Sequence, residues 1–159
     1  MVHDRQQLSL FNAHCDEYCF LPIHVYDTET GRPVAMVLRP GKTPSGIEVR
    51  AHIRRLVRRI RAKWPVTRIT IRGDGHYARP EAMDFCEALG IHYLFGLTGT
   101  RPLHAKLRGI ADAVATTRAV DNLDVVRDFT DVRHKAKGWS RERRAVARDE
   151  LLRARPRAV

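Results

Sequence analysis

Asp74 lies in the run Arg72-Gly73-Asp74-Gly75-His76-Tyr77, directly after a β-branched stretch. A carboxylate just beyond a buried strand sits at the edge where α/β sheets place their chemistry. Such a carboxylate can ligate a hard divalent cation such as Mg²⁺. Two ions of this kind activate a water and stabilise the leaving oxygen in phosphodiester cleavage. The glycines on either side let the backbone turn sharply and leave room for a ligand. The competing reading is a turn aspartate whose side chain accepts N–H groups of its own loop.

Other groups are weaker candidates. Pro40-Gly41-Lys42-Thr43 has the ending of a phosphate loop, but Met36 occupies the place where that motif needs a glycine. Lys42 is therefore either a phosphate contact or a solvated loop residue. A helix rich in arginine (Arg50, Arg54, Arg55, Arg58, Arg59, Arg61 and Lys63) either lies along a nucleic-acid backbone or is a solvated face of a basic protein. His14, Cys15, Cys19 and His24 lack a second Cys or His pair at finger-like distance, which argues against zinc. Cys86 falls on an apolar helix face with Met83 and reads as core. No Ser–His or Cys–His pairing is defensible.

The elements that must position these groups follow from periodicity. Leu21, Ile23 and Val25 alternate with polar or aromatic neighbours across Phe20 to Tyr26, and Val34 to Arg39 continues after a turn with Gly31, which predicts a β-hairpin. Ser45 and Glu48 stand as in a capping box. The helix they open carries an apolar stripe of Val49, Ile53, Leu56, Val57, Ile60 and Trp64, and Pro65 stops it. Val66 to Arg72 predicts a buried strand. Pro80 and Gly90 bracket the next helix. Ile91 to Leu97 predicts another strand, Thr100 to about Ala119 a helix, and Val125 to Val132 a weaker strand. The stretch before Tyr18 is polar and irregular. This order predicts a mixed α/β fold.

The chain has 159 residues, enough for one domain with a core, and 43% of them are apolar. Lys and Arg total 29 against 18 acidic residues, a net charge of +11 that points to a polyanionic partner. No apolar run is long enough to span a bilayer, and Met1 to Arg5 has no secretory pattern. With an odd number of cysteines, the thiols read as reduced, and a cytoplasmic location is expected.

Four segments, taken together, resemble the DDE transposases of bacterial insertion sequences, which have a ribonuclease-H-like catalytic core. They are Arg5-Gln6-Gln7-Leu8-Ser9-Leu10-Phe11-Asn12-Ala13-His14, Val37-Leu38-Arg39-Pro40-Gly41-Lys42, Arg72-Gly73-Asp74-Gly75-His76-Tyr77-Ala78-Arg79-Pro80-Glu81, and Gly138-Trp139-Ser140-Arg141-Glu142-Arg143-Arg144. The resemblance implies a mixed sheet flanked by helices, Asp74 as the second catalytic acid and Mg²⁺ ligand, and Arg39, Lys42, Arg72, His76 and Arg79 as contacts to double-stranded DNA. Transposases of this kind use Mg²⁺ to cut DNA at the element's ends and join the strands.

The same resemblance places the family's first Asp on a strand before Val2, and its third acid, a Glu, beyond Val159. Asp4, next to His3 where the family pattern has Gly, is a poor substitute. Arg148 to Leu152 and the basic tail no longer resemble the family. The chain is therefore expected to be a truncated transposase, an incomplete ribonuclease-H-like sheet lacking its first strand, catalytically inactive alone and a doubtful Mg²⁺ binder. The expected layout is an irregular remnant over 1–19, a partial core over 20–99, and over 100–159 the start of an insertion with a divergent basic tail. Association with itself or with a full-length transposase, on the nucleoid, is the corresponding partner expectation. The alternative is a non-enzymatic basic DNA-binding protein. A self-sufficient nuclease needs a second carboxylate beside Asp74, from Asp27, Glu29 or Asp84.

Overall fold

The computed structural model describes residues 10–13, 16–121 and 125–152, and the fold is mixed α/β. The chain divides into two compact units between Thr67 and Arg68, and each has its own elements.

The first unit opens with β1 (Leu10–Asn12) and β2 (Glu17–Cys19), an antiparallel hairpin in a stretch where sequence pattern predicts none. A second hairpin follows, β3 (Ile23–Tyr26) with β4 (Pro33–Val37), as the alternation predicts. Ile23, Val25, Ala35 and Val37 point inward, while His24, Tyr26, Val34 and Met36 are exposed. A bridge between Phe20 and Pro40 extends the ladder. Helix α1 (Gly46–Lys63) starts where Ser45 Oγ accepts the Glu48 N–H at 3.2 Å. Val49, Ile53 and Val57 of its stripe are buried with Ile23 and form the core of this unit. Trp64 does not share that burial. It caps the helix and is 63% exposed, because Pro65 turns the chain away there.

The second unit begins with β5 (Thr70–Gly73), α2 (Pro80–Ala88) and β6 (His92–Phe95). β5 and β6 pair in parallel, so this is a βαβ crossover. β5 is shorter and wetter than its composition predicts: Val66 is 95% exposed, and Thr70 and Arg72 also face solvent. Pro80 opens α2, and Gly90 closes it with φ +63°. Ala82, Met83, Cys86 and Ile91 form the local core. Helix α3 (Arg101–Asp121) then packs against a long antiparallel hairpin, β7 (Val125–His134) with β8 (Arg143–Leu152).

The expected single mixed sheet takes a different form among the described residues, where the strands make four two-stranded sheets. The hydrogen bonding that is present is local: three hairpins and one crossover.

Candidate active-site loop

Gly96 fixes where Asp74 sits. Its N–H donates to Gly73 O at 3.0 Å, continuing the β5–β6 ladder past Phe95. A side chain at position 96 would put its Cβ 3.1 Å from Gly75 N and 3.4 Å from the Asp74 carbonyl carbon, so any larger residue would press the Asp74 turn back by a few tenths of an ångström. The backbone turns over Gly75–Tyr77 as expected, but neither Gly73 nor Gly75 takes a positive φ there. The space that a Cβ would take at Gly73 is filled by the Tyr77 ring, 3.0–3.2 Å away.

Asp74 follows β5 with its side chain 65% exposed. Oδ1 accepts the His76 N–H at 2.8 Å and lies 3.5 Å from His76 Nδ1. The Asp74 carbonyl accepts the Tyr77 N–H at 3.1 Å. The turn role is thus real, yet among the described residues it occupies only one carboxylate oxygen. Arg79, the residue before α2, donates through Nε to His76 O at 3.1 Å. Arg72 is exposed on β5, two residues before Asp74. The loop therefore gathers Arg72, Asp74, His76 and Arg79 within eight residues of chain. Arg72 and Gly73 also line a cavity of about 830 Å³ whose other walls include Arg133, Arg141 and Arg144.

Arg39 and Lys42 belong to the other unit. Arg39 is 4% exposed. Nε and Nη2 donate to Glu48 at 2.7 and 3.2 Å, and Nη1 donates to Lys42 O and Leu21 O at 2.5 and 3.4 Å. Its expected phosphate contact gives way to a structural role, bracing the loop before α1. The Arg39 guanidinium, helped by the Ser45 backbone, holds the Glu48 carboxyl below its ordinary range. Lys42 is exposed, and among the described residues only its backbone is engaged.

Sequence pattern did not disclose the cluster built on Arg143, which is 5% exposed. Its Nε donates to Glu87 Oε1 at 2.6 Å, and Nη2 reaches Asp84 Oδ1 at 2.5 Å and Glu87 Oε2 at 3.1 Å. Its guanidinium carbon lies 5.3 Å from the centre of the Trp139 ring. Ser140 Oγ also donates to Asp84, and Tyr93 Oη donates to Glu87 at 2.6 Å. The Ser140 hydrogen bond, then Arg143, holds Asp84 below its usual pKa. Burial alone would raise Glu87, but the bonds from Arg143 and Tyr93 outweigh it and leave Glu87 lowered. Burial and the Glu87 bond push the Tyr93 phenol up to about 12. Asp84 is thereby committed to the clip that ties the start of β8 to α2. Asp27 is likewise held in its own turn by Thr30 Oγ1 and the Glu29 N–H.

Among the described residues no three His, Cys, Asp or Glu side chains converge as ligands for a metal ion. One half-engaged carboxylate beside one imidazole does not fit a two-Mg²⁺ centre. His14 and Cys15 of the zinc reading, Asp4, and the basic tail from Arg153 lie outside the described residues. Cys86 is a buried free thiol.

The family comparison reaches further than any single motif. Residues 1–155 match the family described as transposase DDE domain, group 1. The chain belongs to that transposase family. The match also corrects the sequence reading at the C-terminal end: Arg148 to Leu152, set apart there as divergent, lie inside the matched span and form the end of β8. Comparisons with curated proteins and with solved structures found no match. DDE transposases act on DNA and ordinarily work with a divalent metal. No described helix of this one is long and apolar enough to cross a membrane.

Proposed function

We propose that this chain is a DNA-binding transposase segment that contributes Asp74 to the cutting and joining of DNA at insertion-sequence ends, and that it is inactive by itself. The observation that carries this reading is Asp74 itself, in a chain of the DDE transposase family. Its carboxylate stands at the C-terminal end of β5 with one oxygen uncommitted among the described residues, beside exposed Arg72 and His76. In this reading Lys42, Arg72, His76 and Arg79 hold the phosphate backbone of duplex DNA, while Arg39 braces the loop that carries Lys42. Mg²⁺ chemistry then requires carboxylates beyond those gathered among the described residues, supplied within an assembly with a second copy or a full-length transposase on the nucleoid. The ribonuclease-H-like sheet belongs to the same proposal, with β5 and β6 as its parallel pair.

The second reading is a DNA-binding protein without catalysis, favoured by the lack of a metal-binding cluster among the described residues. A supercoiled-plasmid assay with Mg²⁺ separates the possibilities. The purified chain is expected to bind the plasmid and leave it unnicked. Nicking that disappears in Asp74→Ala would overturn the proposed inactivity, and failure to bind DNA would overturn both readings.

A further inference from the structure

The middle of α1 holds a charge pattern that the Asp74 loop does not explain. Arg54, Arg55, Arg58 and Arg59 are all exposed. Arg54 and Arg58 are one helical turn apart, as are Arg55 and Arg59, so each pair is separated along the axis by about 6 Å. That is shorter than the screening length of roughly 8 Å at physiological salt, so these like charges repel one another. Among the described residues none of the four enters a hydrogen bond or ion pair. The helix carries one acid, Glu48, and Arg39 and His52 already engage it.

Ordinary helix physics accounts for the ends. Glu48 lies in the first turn, and Arg61 and Lys63 lie in the last, where each complements the helix dipole. Arg61 also donates to Pro65 O at 2.8 Å. Nothing of this sort applies to the four central arginines. A merely soluble helix intersperses both signs on its open face. A membrane-surface helix would present apolar side chains, but the apolar stripe of α1 is buried in its own unit.

We propose that the Arg54–Arg59 face of α1 is a docking surface for the phosphate backbone of double-stranded DNA, separate from the Asp74 loop. The inference rests on the transposase reading for its choice of polyanion. The four guanidiniums neutralise up to four phosphates and release their counterions. Each contact steepens the dependence of log affinity on log salt by about 0.9, so four contribute about 3.6. Between 50 and 200 mM salt, that slope corresponds to an affinity change of roughly 150-fold.

The test is a fluorescence-anisotropy salt titration on a random-sequence duplex, using the full chain. The variant Arg54→Gln/Arg55→Gln/Arg58→Gln/Arg59→Gln is expected to lose three to four units of slope. Arg54→Gln/Arg58→Gln and Arg55→Gln/Arg59→Gln are each expected to lose about half of that, with unchanged far-ultraviolet circular dichroism. Replacing all four with Lys is expected to keep the slope. A charge-matched control, Arg32→Gln/Arg68→Gln/Arg101→Gln/Arg108→Gln, distinguishes a surface from bulk charge, and an equal loss there overturns the proposal. An unchanged slope in the α1 variants, or loss of binding to phosphatidylserine vesicles with DNA binding intact, also overturns it. If the wild-type chain itself fails to bind DNA, the transposase reading fails first, and this inference fails with it.

Discussion

Replacing Arg143 with Met would remove the buried guanidinium that bridges Asp84 and Glu87, leaving Glu87 only the exposed Arg141 at 3.3 Å among the described residues, while keeping much of the side-chain volume. Removing one partner from a fully buried ion pair costs about 3–5 kcal/mol. Water recovers part of that here, because the Asp84 side chain is 42% exposed and that of Glu87 21%. Arg143 Nη1 is buried without a partner among the described residues, so its removal also relieves a penalty of about 1 kcal/mol or more. The lost approach to Trp139 works the other way, by about 0.5–1 kcal/mol. The net expectation is a destabilisation of about 2 kcal/mol in the second unit at pH 7. Urea unfolding followed by Trp139 fluorescence measures it, in a Trp64→Phe background so that one tryptophan reports. Asp84 and Glu87 both have lowered values in the folded chain. Their contribution is therefore complete above the ordinary carboxylate range, near pH 4, and is lost as pH falls through the depressed folded values. The difference between wild type and Arg143→Met should then shrink toward pH 2–3. Adding Asp84→Asn and Glu87→Gln to Arg143→Met should recover part of the loss, because no uncompensated charge remains. A cost below about 0.5 kcal/mol at pH 7, or an equal cost at pH 3, would show that Arg143 is not the clip described.

Gly96→Ala should lower the stability of the second unit by about 1–2 kcal/mol and speed amide exchange at Gly75 and His76, since the new methyl meets backbone in the Asp74 turn. Unaltered exchange there would show that the turn does not depend on this approach. Cys86 is fully buried, and burial followed by the Glu87 charge pushes its thiol up to about 11. In a Cys15→Ser/Cys19→Ser chain it should resist a disulfide reagent at pH 8 until urea unfolds the protein, and rapid labelling of the native chain would contradict its placement in the core.

Patterns that repeat over several turns were legible from sequence. The stripe of Val49, Ile53 and Val57 with its Ser45 cap gave α1, and Pro80 and Gly90 bracketed α2. The β3–β4 hairpin followed from strict alternation. β1 and β2, of three residues each, are too short to show a period. β8 is hidden for another reason: its inward positions from Arg143 are an arginine and two alanines, so buried and exposed residues barely differ in hydrophobicity. The Arg143 clip joins residues 56 and 59 positions apart, which no local window reads. The placement of Asp74 in a turn after β5 was legible because a carboxylate between glycines follows a β-branched run.

The outer surface of the β3–β4 hairpin leaves Tyr26, Val34 and Met36 open to water, with Leu38 just beyond. A net charge of +11 opposes association of molecules through such a greasy face at low salt. Added electrolyte screens that repulsion and leaves the apolar attraction intact. The ionic strength that strips this chain from a polyanion therefore also weakens the repulsion that opposes clumping through this face.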